Sequence, residues 1–324
     1  MSTPRSLEMP DRVRSGYLAT DRGSFAMLEA QPSHGVCERR PAILVPGYTG
    51  SKEDFLPVLE PLAAAGRTVV AIDQRGQYQS PHAPDRGGYA ADELAADLLA
   101  IAAAIDHDAG GVHLVGHSMG GLVARQAVLR QSAGIRSLTL IGSGPASIAG
   151  QRAVLLRELL TLLDPDEGRG GDDRNKLRRQ ISSLWQEQLG PQALAEGTSQ
   201  HILAFLRERM LRTCPIGLIT MARYLLDCED RTEELAALAR LPIIVVYGEN
   251  DDAWRPSVQD RMARRLGAER VCIPGAAHSP AVEAPDMTAS TLTTFWNAAE
   301  RHRPWARDRR GSSQEPPRPA RTSS

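Results

Sequence analysis

Short apolar runs alternate with helical patterns along most of this chain. Eight runs rich in Val, Ile and Leu predict β-strands, at residues 12–19, 24–30, 42–47, 68–76, 112–118, 137–144, 241–251 and 270–278. The first two runs are close neighbours and predict an antiparallel pair. The later runs are apolar on both alternations, which is typical of strands covered on both faces.

Helical periodicity fills the intervals between these strands. The clearest amphipathic pattern predicts a helix over residues 89–107, where Leu94, Leu98 and Ile101 share one stripe. Further helices are predicted over residues 53–65, 119–131, 257–267 and 286–300. Strands that alternate with helices predict an α/β fold, with a mostly parallel sheet and helices on both faces.

One long interval, residues 145–233, has no strand signal. It contains only leucine-rich helical patterns, at residues 147–163, 173–189 and 198–227. We therefore expect a helical cap, inserted between the sixth and seventh strands of a core formed by residues 12–144 and 234–301. A flexible N-terminus and a polar, proline-rich disordered tail are expected at the two ends, over residues 1–11 and 302–324.

Composition argues against several classes of partner. The 324 residues carry a formal net charge of −1, which gives no electrostatic reason to expect nucleic acid or an anionic membrane. The N-terminus has no apolar core of signal-peptide length, and no stretch approaches the ~20 apolar residues of a membrane span. We expect a soluble, cytoplasmic protein that acts on a small molecule, and the sequence leaves its oligomeric state open.

The cysteines do not form a metal-binding pattern. They are widely spaced and lack a CxxC pair, which indicates buried free thiols rather than disulfides; they are Cys37, Cys214, Cys228 and Cys272. We expect neither a metal nor a cofactor.

The stretch LVGHSMGG, residues 114–121, allows three interpretations: a held nucleophile, a phosphate-binding turn, or a plain strand–helix junction. A Walker loop requires a Gly-Lys-Ser/Thr sequence, and a dinucleotide fingerprint requires G-x-G-x-x-G followed by an acidic residue. Neither pattern is present. Instead, Ser118 stands in a G-x-S-x-G pattern directly after an apolar strand and before a helix, which is the context of a nucleophile elbow.

A nucleophilic serine requires a base and an acid that orients it. His278 follows the last strand, where a loop can reach the carboxyl edge of the sheet. Asp251 follows the preceding strand and is the predicted acid, with Asp252 as the alternative. His117 is adjacent to the serine but is directed elsewhere by the elbow, so we interpret it as structural.

Two backbone N–H groups are predicted to bind the oxyanion of a tetrahedral intermediate. One belongs to Met119, which follows the serine. The other is expected in the turn Pro46-Gly47-Tyr48-Thr49-Gly50, where Tyr48 would carry it. A plain Gly/Pro turn is the alternative interpretation of this loop.

Together these motifs resemble the α/β-hydrolase superfamily, in its cap-bearing branch. The resemblance covers about residues 12–300 and rests on VPGYTG, DQRG, GHSMGG, YGENDDAW and GAAHSPAVE, which occur in this order. It implies an eight-stranded, mostly parallel sheet with a lid over the site, and it implies that Ser118, Asp251 and His278 form a catalytic triad.

Two stretches depart from the family pattern. The oxyanion loop usually begins His-Gly and here begins Pro46-Gly47. The motif Asp-x-Arg-Gly-x-Gly-x-Ser here reads DQRGQYQS, so that Gln77, Tyr78 and Gln79 stand where a glycine is common. We expect Tyr78 to lie beside the pocket entrance and to contact substrate.

The expected activity is hydrolysis of a carboxylic ester with a small or medium apolar acyl group. The same triad serves aminopeptidases for N-terminal proline, C–C bond hydrolases and thioesterases, so these activities remain alternatives. A non-catalytic binding protein on the same fold is the contrasting hypothesis, although a binder has no physical need for a base and an acid.

Overall fold

The computed structural model describes residues 2–32, 39–164, 173–238 and 240–301. These residues form eight strands, namely β1 (Val13–Thr20), β2 (Gly23–Ala30), β3 (Ala42–Val45), β4 (Val69–Ile72), β5 (Val112–His117), β6 (Ile135–Ile141), β7 (Ile243–Gly248) and β8 (Glu269–Ile273). The predicted tail at 302–324 lies outside the described residues.

All eight strands belong to one sheet, in the order β1-β2-β4-β3-β5-β6-β7-β8. β1 pairs antiparallel with β2, and β2 pairs antiparallel with β4. Every other neighbouring pair is parallel. The predicted α/β fold with a mostly parallel eight-stranded sheet is therefore confirmed. Several strands end earlier than predicted because the chain turns at the carboxyl edge of the sheet.

The helices described are α1 (Leu56–Ala64), α2 (Ala91–Ile105), α3 (Met119–Arg130), α4 (Gly150–Leu163), α5 (Arg174–Leu184), α6 (Gly190–Ala195), α7 (Gln200–Arg212), α8 (Pro215–Asp227), α9 (Thr232–Ala236), α10 (Pro256–Leu266), α11 (Pro280–Glu283) and α12 (Pro285–Arg301). Short 3-10 helices cover Lys52–Phe55 and Gly87–Tyr89, and a π-helical turn covers Trp185–Leu189.

The helix predicted over residues 198–227 is two helices. α7 ends at Arg212, and α8 begins at Pro215. Proline is favoured in the first turn of a helix because its missing N–H would have no helical partner there, whereas inside a helix it breaks the hydrogen-bond ladder. The leucine periodicity runs through this break and therefore did not reveal it.

Alternate residues of the central strands pack on opposite faces of the sheet. In β3, Ile43 and Val45 belong to a core that also contains apolar side chains of α2, α3 and α10. Ala42 and Leu44 point the other way, into a core formed with α1 and α12. The two-residue period of a strand thus gives one core on each side of the sheet.

The thiols differ in their exposure. Cys214 and Cys228 are buried, as predicted, but Cys272 is exposed. Cys272 lies in β8, the strand at the edge of the sheet, and most residues of this strand are solvent-exposed. Cys37 lies outside the described residues. Within the described ranges, no helix combines the length and the apolar composition that crossing a bilayer requires.

Helices α4–α9 lie between β6 and β7, and we call residues 145–233 the helical insertion. The buried guanidinium of Arg125 in α3 donates to two carbonyl oxygens, those of Pro145 and Glu229. These two residues lie near opposite ends of the insertion. The N–H of Ser147 also donates to the carbonyl oxygen of Cys228 at 2.9 Å. The two connections between the sheet and the insertion therefore run side by side.

A buried polar cluster lies near the amino ends of the parallel strands. His113 Nδ1 is 2.7 Å from Ser137 Oγ, and His113 Nε2 is 3.0 Å from Glu300 Oε1. The same carboxylate oxygen accepts a 2.7 Å hydrogen bond from Arg67, whose side chain is fully buried. The His113 ring stacks on Trp296, with ring centroids 5.3 Å apart. The cluster therefore joins α12 to the sheet through an uncharged histidine.

Burial lowers the pKa of His113 to about 4, although the hydrogen bond with Glu300 opposes this effect. Burial alone would raise the pKa of Glu300, but its hydrogen bond with His113 and the charge of Arg67 outweigh this and lower it to about 2. Above about pH 4 the histidine is neutral and the pair carries one negative charge, on Glu300, which Arg67 neutralises. As the pH falls, His113 is therefore protonated before Glu300.

We predict that the protein loses stability as the pH falls from about 6.5 to about 4. The unfolded chain binds a proton on His113 below about 6.5, whereas the folded chain resists until about 4, so protonation favours unfolding, by on the order of 3 kcal/mol. Urea unfolding at several pH values should show this loss, and His113→Gln should reduce its slope. The pKa of His117 is also lowered by burial, to about 3, but His117 is present in both proteins. An unchanged slope in the variant would contradict the assignment.

Candidate active site

The residues singled out by the sequence lie in loops at the carboxyl edge of the sheet. Ser118 directly follows β5, Asp251 comes three residues after β7, and His278 comes five residues after β8. The turn that begins at Pro46 directly follows β3. Since these strands are parallel, their carboxyl ends share one edge, and chain segments far apart in sequence meet there.

Three side chains form a hydrogen-bonded series at this edge. Ser118 Oγ lies 3.0 Å from His278 Nε2, and His278 Nδ1 lies 3.0 Å from Asp251 Oδ1. All three residues are buried, with relative exposures of 7%, 9% and 4% for Ser118, His278 and Asp251. The structure thus brings together the serine, the imidazole and the carboxylate that the sequence selected.

Ser118 has a backbone conformation that side-chain-bearing residues rarely adopt, with φ 55° and ψ −122°. The turn is possible because glycines surround it. A Cβ on Gly116 would lie 2.3 Å from the carbonyl oxygen of Gly120, and one on Gly120 would lie 2.5 Å from the carbonyl oxygens of Val45 and Pro46. The tight turn holds the hydroxyl at the start of α3, where the helix N-terminus favours negative charge.

Asp251 accepts hydrogen bonds from two groups in addition to the imidazole. Its Oδ1 accepts from the N–H of Ala253 at 2.9 Å, and its Oδ2 accepts from Gln259 Nε2 at 2.8 Å. Burial raises the pKa of Asp251, but the hydrogen bonds from His278, Ala253 and Gln259 outweigh burial and hold the pKa below its usual value. The carboxylate is therefore ionised and fixed in orientation.

Gln259 was missed by the sequence analysis, although a signal for it exists. It lies in α10 and is fully buried, three and four residues before the buried Met262 and Ala263. A polar side chain on the apolar stripe of a helix must find a hydrogen-bond partner inside the protein. Its second donor contact is with the carbonyl oxygen of Trp254, at 2.7 Å.

Asp252, the alternative acid, has no described hydrogen bond with the imidazole. Arg152 of α4 binds it with two hydrogen bonds, of 2.6 and 3.0 Å, and 64% of the Asp252 side chain is exposed. The two consecutive aspartates thus differ in their contacts. Asp251 meets His278, whereas Asp252 connects the helical insertion to this loop.

His117 lies close to the site, although its ring does not contact the serine hydroxyl. Its Nε2 is 2.8 Å from the backbone carbonyl oxygen of His278, and the two rings are 4.9 Å apart between centroids. Burial lowers the pKa of His117 to about 3, so the ring is neutral near pH 7 and its Nε2 can donate to this carbonyl. The interpretation as a structural residue fits these contacts, which anchor the loop that bears His278.

The turn after β3 passes directly beside the serine. A Cβ on Gly47 would lie 3.1 Å from Ser118 Cβ and 3.5 Å from Ser118 Oγ, so a side chain at this position would crowd the serine. The adjacent Tyr48 donates its hydroxyl to the carbonyl oxygen of Leu218 in α8, at 2.8 Å. Among the described residues, the N–H groups of Tyr48 and Met119 have no hydrogen-bond acceptor, so both are available to a bound oxyanion.

Tyr78 packs against α7. Its ring meets Phe205 edge-on, with centroids 5.7 Å apart, and its hydroxyl is 3.3 Å from Glu208. The side chain is buried, and its backbone has a φ of 31°, where the family pattern has a glycine. Its described contacts include none with Ser118, Asp251 or His278. The predicted contact of Tyr78 with substrate stays a prediction.

The arrangement contains the parts needed for nucleophilic attack on a carbonyl group. A hydroxyl, a base in contact with it, a carboxylate that orients the base and two free N–H groups lie together at the carboxyl edge of the sheet. In the part of the chain that the structure describes, no three His, Cys, Asp or Glu side chains come together as a metal site.

Comparison with known proteins agrees with the fold. The profile of the alpha/beta hydrolase family matches residues 42–291. A thermophilic esterase from Thermogutta terrifontis superimposes with a TM-score of 0.65 at 20% identity, covering 88% of this chain and 99% of that protein. At this identity the likeness concerns the fold alone.

Two curated relatives illustrate the range of similar sequences. The N-formylmaleamate deformylase of Pseudomonas putida is 40% identical over 111 residues, which are 34% of this chain and 40% of that protein. The dihydrolipoyllysine-residue acetyltransferase component of an acetoin cleaving system, also from Pseudomonas putida, is 28% identical over 260 residues, 79% of this chain and 63% of the relative. The chain spans between 40% and 63% of the lengths of its curated relatives.

We predict that Gly116→Ala destabilises the protein by roughly 2 kcal/mol or more, because its methyl group would collide with the backbone of Gly120 and Gly121, at 2.3 and 2.5 Å. Guanidinium unfolding measures the change. Gly16→Ala in β1 is the matched control, since its nearest neighbour would be the Met27 side chain at an ordinary 3.7 Å. Equal stabilities for the two variants would show that the elbow tolerates a side chain.

Proposed function

Because the chain belongs to the alpha/beta hydrolase family, we propose that it is a serine hydrolase that cleaves a carboxylic ester through an acyl-enzyme. The observation that carries this proposal is the 3.0 Å contact between Ser118 Oγ and His278 Nε2, continued by the 3.0 Å contact from His278 Nδ1 to Asp251. A serine hydroxyl is a weak nucleophile, and a base at this distance can remove its proton during attack.

The reaction then follows from the positions of these groups. Ser118 Oγ attacks the ester carbonyl as His278 Nε2 takes the proton, and the carbonyl oxygen becomes an oxyanion. His278 returns the proton to the leaving alkoxide, which departs as an alcohol. A water molecule, deprotonated by the same imidazole, attacks the acyl-enzyme and releases the acid. Asp251 keeps the proton on Nδ1 and stabilises the imidazolium that forms in each half.

The N–H groups of Tyr48 and Met119 stabilise the oxyanion. Tyr48 lies in the turn after β3, and Met119 is the first residue of α3. Preorganised donors of this kind each lower the activation barrier by about 3 kcal/mol. The N-terminus of α3 adds a favourable potential at the same position.

The helical insertion acts as a cap in this proposal. It reaches two loops of the site through three contacts: Tyr48 contacts α8, Asp252 contacts Arg152 of α4, and the Trp254 indole donates to the carbonyl oxygen of Ala146 at 3.1 Å. The nucleophile and the base are nearly inaccessible beneath it. The leucine-rich sequence of the insertion supports a small or medium apolar acyl group.

Amide, thioester and C–C bonds are the competing substrate classes, because the same attack on a carbonyl begins each reaction. One relative is named a deformylase, and a structural neighbour is a thioesterase domain. Rates on nitrophenyl esters of increasing acyl length should exceed those on a prolyl amide, a thioester and a vinylogous diketone. Activity confined to one of the last three would reassign the bond while keeping the triad.

The cytoplasmic location stays a prediction.

We predict that a fluorophosphonate probe labels the wild-type protein covalently and that Ser118→Ala abolishes labelling, because the probe requires an activated hydroxyl. Mass spectrometry of the labelled peptide identifies the residue. Ser183→Ala, at an exposed position of α5, is the control and should label as the wild type does. A wild-type protein that never labels would favour the non-catalytic binding hypothesis.

We predict that Asp251→Asn lowers kcat by about 10⁴-fold, because an amide cannot hold the required imidazole tautomer. Asp252→Asn should change kcat by less than about threefold, since it breaks only an exposed ion pair with Arg152. Steady-state kinetics on the best nitrophenyl ester, with thermal unfolding to verify folding, decides the matter. Equal losses in the two variants would refute the choice of Asp251.

A further inference from the structure

We propose that Gln77 is a positioning residue for the oxyanion hole: its side-chain amide orients the peptide that presents the Tyr48 N–H. This inference rests on the proposed function, which assigns that N–H to the oxyanion. It concerns the residue directly after Gly76 of the DQRG motif, and it connects the two places where the sequence departs from the family pattern, the loop at Pro46 and the loop at Gln77.

Three consecutive carbonyl groups of the oxyanion loop accept hydrogen bonds from side-chain amides of the loop after β4. Gln77 Nε2 donates to the carbonyl oxygens of Gly47, at 2.7 Å, and Tyr48, at 3.2 Å. Gln74 Nε2 donates to the carbonyl oxygen of Pro46 at 2.9 Å. The backbone of the loop is therefore held on one side along its first three residues.

The orientation of the Gln77 amide is itself fixed. Its Oε1 accepts from the backbone N–H of Gln74 at 3.0 Å, so the NH₂ group must face the oxyanion loop. Its own backbone N–H donates to the carbonyl oxygen of Gln74 at 2.9 Å, which closes a tight turn. The side chain is 1% exposed. Both amide hydrogens are thus committed to the loop, and water does not compete for them.

Peptide geometry converts this contact into control of the Tyr48 N–H. In a trans peptide, the C=O and the N–H point in opposite directions, and the described part of the chain has no cis peptide bond. When Gln77 holds the Gly47 C=O, the Tyr48 N–H of the same peptide points away from Gln77. Gly47 faces Ser118, because a Cβ on it would lie 3.5 Å from Ser118 Oγ. The N–H is therefore held toward the site.

The two loops are also joined at their bases, so that the amide acts from a fixed support. Asp73 accepts from the backbone N–H of Lys52 at 2.8 Å and from Lys52 Nζ at 2.9 Å. Both side chains are buried. Without Gln77 the loops would remain attached through this pair, but the Gly47 carbonyl oxygen would keep only the longer, 3.2 Å hydrogen bond from the Gly50 N–H, which leaves the peptide between Gly47 and Tyr48 less firmly held.

The test compares Gln77→Glu with Gln77→Met. A glutamate keeps the acceptor for Gln74 but donates nothing to the two carbonyls, and a methionine removes the amide without adding charge. Gln79→Glu is the matched control, because Gln79 accepts from Lys52 and does not contact the oxyanion loop. Each variant is assayed on a nitrophenyl ester and on the corresponding thionoester, with thermal unfolding as a check. If the glutamate variant does not fold, the methionine variant carries the test.

We expect kcat on the ester to fall about 10- to 100-fold in both Gln77 variants, because complete loss of one donor costs about 10²- to 10³-fold. KM should change by less than about threefold. The ester-to-thionoester rate ratio should also fall, since sulfur fits a well-formed oxyanion hole poorly and loses less when the hole is loosened. Gln79→Glu should retain the wild-type ratio. A kcat that does not fall, or an equal loss on both substrates, overturns the proposal.

A crystal structure of Gln77→Glu provides a readout that does not depend on activity. We expect the plane of the peptide between Gly47 and Tyr48 to rotate relative to the wild type, and an unchanged plane overturns the positioning role. If the wild-type protein does not react with the fluorophosphonate probe, the proposed function fails, and this comparison still decides whether Gln77 orients the peptide.

Discussion

The positive φ of Ser118 is the constraint on which the rest of the site depends. Such a conformation persists only where the surroundings enforce it, and here they do so by close packing. A methyl group on Gly120 would strike the carbonyl oxygens of Val45 and Pro46. The start of α3 is thus pressed against the turn after β3. The nucleophile and the oxyanion loop share one packed contact, so neither can move without the other.

Buried glutamines, together with the Lys52–Asp73 pair, hold the loops around this contact. Gln74 and Gln77 bind backbone carbonyls of the oxyanion loop, and Gln259 binds the Asp251 carboxylate. All three are at most 2% exposed. A side-chain amide does not titrate, so these contacts persist at any pH at which the protein is folded, and they add no net charge beside the triad.

The sequence predicted the fold, and it selected three residues that the structure brings together, because the relevant signals are local. A strand followed by G-x-S-x-G indicates Ser118, and the strand ends indicate Asp251 and His278. The choice between Asp251 and Asp252 was not local, since it depends on Arg152, a hundred residues away in sequence. Gln77 and Gln259 act through tertiary contacts that no motif records. Cys272 was expected to be buried because the cysteines show no disulfide or metal-binding pattern, but whether a strand lies at a sheet edge is decided by topology.

Tyr48 has two separate roles, one for its backbone N–H and one for its side-chain hydroxyl. Its backbone N–H is the proposed oxyanion donor, whereas its hydroxyl donates to the backbone carbonyl oxygen of Leu218 in the insertion. Every residue type supplies that carbonyl, so evolution can replace the side chains of α8 without breaking the bond. The insertion can diversify in sequence while the catalytic edge keeps its attachment to it. A fold built in this way allows new specificities to arise in one segment while the inherited chemistry in the other is preserved.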